Sequence, residues 1–201
     1  MSNGLEHLKG TDIYVLDQVM RGRIGKGARI LDVGCGSGRN LRYFLGAGHD
    51  VYAADVSEER VRQAQTLCAE LRSELPAENI RVEAAEDLSF EAGTFDFVIC
   101  NAVLHFARDR EHFEEMLRGC WEMLAPEGVL FVRTASLLGI PPDQRGEIGS
   151  QLQPDGDTRF LIDEAFLAEL EEDLKARRID PFKTTIVHGK RAMATWVLAR
   201  A

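Results

Sequence analysis

Two carboxylates around a glycine-rich turn are the residues of this chain whose spacing could do chemistry. Asp32 sits inside the apolar run Ile30-Leu-Asp-Val33, and Gly34, Gly36 and Gly38 follow at once. An acid in a buried strand costs several kcal/mol unless something pairs with it, so Asp32 needs a partner. Asp55 closes a second apolar run, Val51-Tyr-Ala-Ala-Asp55, and lies 17 residues after Gly38. That is near the ~20 expected of a ribose-binding acid in such units. A carboxylate suits that post because its two oxygens can accept from both ribose hydroxyls at once. The competing reading makes Asp55 an acid at a helix N-terminus, since Ser57, Glu58 and Glu59 follow it. Asn101 comes directly after a third such run, Phe95–Cys100, and His105 stands four residues further on. His105 is either a general base, as the side chain that titrates nearest neutrality, or a packing residue.

The elements that must position these groups alternate. Ile30, Leu31 and Val33 form a strand short enough to be buried on both faces, and Leu41, Phe44 and Leu45 follow at helical spacing with Gly46 and Gly48 as stops. Residues 50–55 form the second strand. Ser57 caps a helix whose inner face is Val61, Ala64, Cys68, Leu71 and Leu75, stopped by Pro76. Ile80, Val82 and Ala84 alternate as a third strand, 95–100 is the fourth, and Phe113, Met116, Leu117, Cys120 and Leu124 mark the next helix. Ala125-Pro-Glu-Gly128 turns into a fifth strand, Val129–Val132. Phe166, Leu167, Leu170 and Leu174 define the last helix, before strands at Phe182–Val187 and Arg191–Leu198 joined by a turn at His188-Gly-Lys190. Ahead of all this, Ile13, Leu16, Val19 and Met20 predict a helix over 12–22. Strands alternating with helices predict a doubly wound sheet, in which the carboxyl ends of strands one and four flank the ligand-binding switch point. Asn101 then faces cofactor or substrate by topology alone.

Between Thr134 and Thr158 the periodicity disappears, and Gly139, Pro141, Pro142, Gly146, Gly149, Pro154 and Gly156 accumulate. A connection this long is usually functional, and it predicts a substrate lid. The domain organisation expected is a single domain over 1–201, with an N-terminal helical cap at 1–25 and this lid at 134–158.

The acid followed by Gly34-x-Gly36-x-Gly38 resembles the first motif of the class I S-adenosylmethionine-dependent methyltransferases. The dinucleotide fingerprint differs, because its sixth-position glycine is Arg39 here. The resemblance runs from about Arg29 to Ala201, and the layout is similar to the small tellurite-resistance methyltransferases. It implies a Rossmann-like α/β fold with a seven-stranded, mostly parallel sheet and a closing antiparallel hairpin whose last strand slips between the fifth and sixth. It implies S-adenosyl-L-methionine as cofactor, with Asp32 holding its ammonium group, the glycines its methionine end, Asp55 its ribose, and Val56 among the residues that bind it. Residues 84–88 look like the adenine-side loop. The family often has an acid where Ala84 stands, so Glu86, or the backbone of Ala85 and Glu86, takes over, unless Glu86 simply faces solvent. Asn101 and His105 complete the implied cofactor site, and Tyr14 either touches the methionine portion or belongs to the core. No catalytic residue is named, because methyl transfer to an amine, thiolate or soft anion needs no dedicated base. Where the family commonly has Pro-Gly-Gly, Glu127 replaces a glycine, with little consequence expected.

Composition sets outer limits. With 201 residues, 45% hydrophobic and 28% charged, the chain suits one soluble domain. A net charge of −9 argues against a broad nucleic-acid surface, and no apolar run reaches a membrane span. Met1-Ser-Asn-Gly-Leu-Glu-His7 does not read as a secretory signal. Cys35, Cys68, Cys100 and Cys120 read as buried free thiols, which fits the cytoplasm. The five histidines are scattered, so no metal is expected. A small-molecule acceptor is the expected partner, with a protein substrate as alternative and oligomeric state open. A non-catalytic S-adenosylmethionine-binding protein and a NAD-dependent oxidoreductase are the rival functions.

Overall fold

A computed structural model describes residues 6–141, 143, 146–153, 156–187 and 191–200. The elements in chain order are α1 (Ile13–Met20), β1 (Arg29–Val33), α2 (Leu41–Gly46), β2 (Asp50–Asp55), α3 (Glu58–Leu71), β3 (Ile80–Val82) and β4 (Phe95–Asn101). There follow α4 (Arg110–Glu122), β5 (Leu124–Ser136), β6 (Gly149–Leu152), β7 (Thr158–Leu161), α5 (Glu164–Leu174), β8 (Arg177–Arg178), β9 (Lys183–Val187) and β10 (Arg191–Ala199).

The sheet runs β3-β2-β1-β4-β5-β10-β8, with β9 on the same side of β10 as β8. Strand β1 pairs in parallel with β2 and with β4, so the winding reverses across it. Val33 lies opposite Ala54 on one side and Cys100 on the other, which brings the loops after β1, β2 and β4 to one edge. Strand β1 is buried on both faces because its alternate residues feed two separate cores. Leu31 and Val33 pack with Phe113, Leu117 and Phe166 from α4 and α5. Ile30 packs with Val15, Leu41, Phe44, Val61 and Ala64 from α1, α2 and α3. Asp32, between Leu31 and Val33, falls by the strand's two-residue period on the side of Ile30 and the first three helices.

The expected architecture is present: an α/β, mostly parallel sheet whose last strand, β10, inserts antiparallel between β5 and the edge. The edge strand is divided. β8 and β9 pair with opposite ends of β10, and Pro181, which has no N–H to give a ladder, lies in the gap between them. The sheet therefore counts eight strand segments rather than seven. Helix α3 stops at Leu71, short of Leu75, and β3 ends at Val82, short of Ala84.

The expectation of an irregular stretch from Thr134 to Thr158 is corrected. Strand β5 continues to Ser136, paired with Ala192 of β10, and β6 and β7 form a two-stranded antiparallel ribbon. The periodicity was hidden because β6 has both faces outside the core, with Leu152 74% exposed. Pro142, Pro154 and the His188-Gly-Lys190 turn lie outside the described residues, as do residues 1–5 of the cap. Helix α1 forms as expected, N-capped by Asp12. It is fastened to the chain near β9: Arg23 pairs with both oxygens of Asp180 at 2.7 Å, and the Tyr14 hydroxyl bonds Thr185 Oγ1 at 2.7 Å.

Candidate functional site

The turn after β1 is left-handed at Gly34 (φ 68°), Gly36 (φ 56°) and Gly38 (φ 87°), a conformation in which L residues are strained. The glycines differ in what surrounds them. A Cβ on Gly34 would stand 2.2 Å from Val103 Cγ2, so only a glycine lets the loop after β4 approach the turn. A Cβ on Gly38 would stand 2.9 Å from Leu67 Cδ2, so this glycine serves the packing of α3. Gly36 has only Arg60 Nη1 near, at 3.9 Å, and its N–H donates to Asp55 Oδ2 at 2.8 Å.

Asp55 has two engagements, one with the start of a helix and one with a cavity. Its Oδ1 accepts from the N–H of Ser57 at 2.9 Å, at the start of α3. The same carboxylate lines a cavity of about 290 Å³ at the carboxyl edge of β1, β2 and β4. Gly34, Val56, Ala85, Glu86 and Phe106 share that wall, together with Val33, Glu83, Ala102, Val103, His112 and Met116.

Asp32 precedes the wall by one residue and is 1% exposed. Burial pushes its carboxyl up to about 7, against the pull of the Arg39 charge and an Asn40 hydrogen bond. Its Oδ2 has no hydrogen-bond partner among the described residues. Asn101, at the end of β4, is also buried, and neither its Oδ1 nor its Nδ2 is bonded among them. The chain then turns through Ala102 at φ 66°. Two buried polar side chains with unbonded atoms thus stand at the carboxyl ends of β1 and β4, next to Val33 and Ala102 of the cavity wall.

On the far side of the cavity, the Ala85–Glu86 segment is pressed against α4. A Cβ on Gly119 would meet the Ala85 carbonyl oxygen at 2.0 Å, so that glycine fixes the loop's position. Glu86 does not simply face solvent: its Oε1 meets His112 Nε2 at 3.0 Å. Burial is the largest single influence and raises its carboxyl, but the His112 hydrogen bond, a backbone hydrogen bond and the neighbouring charges together leave it below the usual range. The sequence reading missed His112 and Glu83 in this wall. Neither stands at a strand end after a glycine turn, so no spacing signalled them. Cys35 is no nucleophile, because burial pushes its thiol well up.

His105 is placed apart from Asp55, Val56, Ala85 and Glu86. It is buried, and its Nδ1 accepts from the N–H of Ala135 at 3.3 Å. It lines a second cavity of about 360 Å³ with Ala102, Phe106, Arg133, Arg159, Thr185, Arg191 and Met193. Ala102 and Phe106 belong to both walls, so the cavities adjoin. Tyr14 stands beside this second space, its ring under the Arg133 guanidinium at 4.9 Å.

Residues 31–132 match a family described as a methyltransferase domain. The ubiquinone biosynthesis O-methyltransferase of Xanthomonas axonopodis is 37% identical over 109 residues, 54% of this chain but 43% of that protein. The chain thus spans less than half the length of that curated relative. Among solved structures, a SAM-dependent methyltransferase from Methanosarcina mazei superposes with a TM-score of 0.69 at 22% identity, covering 90% of this chain and 96% of that one. The magnesium protoporphyrin IX methyltransferase of Synechocystis, solved with bound SAM, gives 0.68 at 21% identity, with 97% and 80% covered. At such identities the superpositions speak for the fold.

Proposed function

The chain belongs to the methyltransferase-domain family, and on that footing we propose that it is an S-adenosylmethionine-dependent methyltransferase acting on a small molecule. The observation that carries the reading is the pair of strand-end acids around the glycine turn: Asp55 lines the cavity, and Asp32 has a buried oxygen without a partner. These residues fit the cofactor. Asp32 suits its ammonium group, because a cation supplies what that carboxylate lacks. Asp55 keeps spare lone pairs for the ribose hydroxyls beyond its two backbone amides. The Ala85–Glu86 segment lies where the adenine belongs, with Val56 flanking it, and Gly34, Gly36 and Asn101 serve the methionine end. Gly38 supports the turn from behind.

S-adenosylmethionine supplies an activated methyl group, so the chain's own task is to bind, orient and exclude water. Val33, Val103, Phe106 and Met116 give the first cavity its apolar walls. His105 stands in the adjoining cavity, where the acceptor would lie, and its bond from Ala135 N–H leaves Nε2 to carry the proton in the neutral ring. The lid narrows to the β6–β7 ribbon, because Thr134, Ser136 and Leu137 are buried. That ribbon is anchored by Ser150 Oγ, which donates to the Arg108 carbonyl at 2.9 Å. No described helix is long and apolar enough to cross a membrane, and four buried free thiols suit a reducing compartment such as the cytoplasm.

The test is transfer of labelled methyl from S-adenosylmethionine to a panel of phenols, amines, thiols and small acids. Label in at least one small acceptor, lost in Asp55→Ala, supports the reading. Label in protein alone would replace the small-molecule acceptor with a protein substrate. Cofactor binding with no transfer to anything would favour a non-catalytic binder.

A further inference from the structure

The second cavity has a composition opposite to that of the chain. The sequence holds 33 acidic and 24 basic residues, yet three different strands, β5, β7 and β10, each bring an arginine to this one space. Arg133, Arg159 and Arg191 line it with His105 and Thr185, and no acid is in the wall. Carboxylates outside the wall steady Arg133 and Arg159. Asp12 Oδ2 accepts from Arg133 Nη1 at 3.2 Å, and Asp157 Oδ2 accepts from Arg159 Nη2 at 3.0 Å. Arg133 is also stacked over Tyr14, and its Nε is buried without a hydrogen-bond partner among the described residues. Three guanidinium groups set around one partly buried space, with no carboxylate in its wall, favour an anion over a neutral or cationic occupant. Their planar donors match a carboxylate or a phosphate in bidentate fashion.

Building on the methyltransferase reading, we infer that the methyl acceptor carries an oxyanion, a carboxylate or a phosphate, and that Arg133, Arg159 and Arg191 hold it. The rest of the acceptor then extends past the shared residues Ala102 and Phe106 toward the first cavity. Its charged end is anchored away from the reacting atom, so the arginines select and orient the acceptor without taking part in bond making.

Calorimetric titration of the full chain tests this, with and without S-adenosylhomocysteine. The probes are 4-hydroxybenzoate, phenyl phosphate and inorganic phosphate, against the neutral isostere 4-hydroxybenzamide. At least one anion should bind tenfold or more tightly than the amide, and which anion does so separates carboxylate from phosphate. Raising salt should weaken the anions alone. Arg159→Gln and Arg191→Gln should each cost about tenfold in anion affinity while leaving S-adenosylhomocysteine affinity unchanged. The inference is overturned if no anion binds at millimolar concentration, if the amide binds equally well, or if both variants bind the anions like wild type. Should a variant misfold, the wild-type comparison of the anions with 4-hydroxybenzamide still decides. Failure of S-adenosylhomocysteine to bind would sink the cofactor reading instead, and anion binding lost in the variants would then leave a cationic site of another kind.

Discussion

The N–H of Gly36 donates to Asp55 Oδ2 at 2.8 Å. The acid that ends β2 therefore holds the glycine turn that follows β1, and one carboxylate both shapes the cavity and lines it. Asp55→Ala removes the acceptor for Gly36 as well as one carboxylate of the cavity wall. It should lose about 2–5 kcal/mol of S-adenosylhomocysteine affinity, the usual cost of truncating one partner in a buried polar pair. The Gly36 amide should also exchange faster in the ligand-free variant. Asp55→Asn, which keeps one acceptor oxygen, should lose less. Unchanged affinity in Asp55→Ala by calorimetry would remove Asp55 from the site.

Asp32 should respond to pH with a definite sign. Its carboxyl is raised from 3.8 to about 7 in the fold. Between those values the unfolded chain binds fewer protons at this position than the folded one. Its effect is thus neutral below pH 4 and increasingly destabilising up to pH 7, by at most about 4 kcal/mol. The Asp32→Asn variant should therefore gain on wild type in urea unfolding as pH rises through that window, ligand absent. A cationic group binding beside Asp32 would also expel its proton. Calorimetry at pH 6 in buffers of different ionisation heat should show up to about one proton released per ligand bound. A difference between variant and wild type that does not move with pH would contradict the assignment.

The glycines of the turn should not be equivalent. At Gly34 an added methyl meets Val103 at 2.2 Å, whereas at Gly36 the nearest atom is the end of Arg60 at 3.9 Å. Gly36→Ala should cost about 1–2 kcal/mol from its left-handed backbone alone. Gly34→Ala should cost clearly more, because the loop after β4 must move, and it should also lose ligand affinity. Chemical denaturation of the two variants side by side checks this, and equal losses would contradict it.

At the start of β5, Glu127 occupies the left-handed region at φ 61°. The expectation that its presence costs little needs correction, because a side chain there is strained where a glycine is not. Glu127→Gly should stabilise the chain by roughly 0.5–1 kcal/mol, the relieved strain being partly offset by a more flexible unfolded state. A lower urea midpoint for the variant would contradict this.

Much of the site was legible because it sits where a period changes. Asp32, Gly34 and Asp55 stand where a buried strand ends and a helical spacing begins, and topology alone brings Asn101 to the same edge. Residues whose neighbours come from distant elements were not legible. His112 reaches Glu86 across 26 positions, and Gly119 accommodates Ala85 from the middle of a helix. Arg133, Arg159 and Arg191 converge from three strands, one of which, β7, starts at the last residue of the stretch that shows no periodicity. His105 follows Asn101 closely in sequence, yet the turn of 3₁₀-helix at Leu104–Phe106 sets it in the wall of the adjoining cavity.

The central claim is that the cavity at the carboxyl edge of β1, β2 and β4 takes an S-adenosyl cofactor. Calorimetric titration of the full chain with S-adenosylhomocysteine, and separately with NAD, tests it most directly. One S-adenosylhomocysteine should bind per chain, more weakly in Asp55→Ala, and NAD should not bind. No heat with S-adenosylhomocysteine, or saturable binding of NAD in its place, would contradict it.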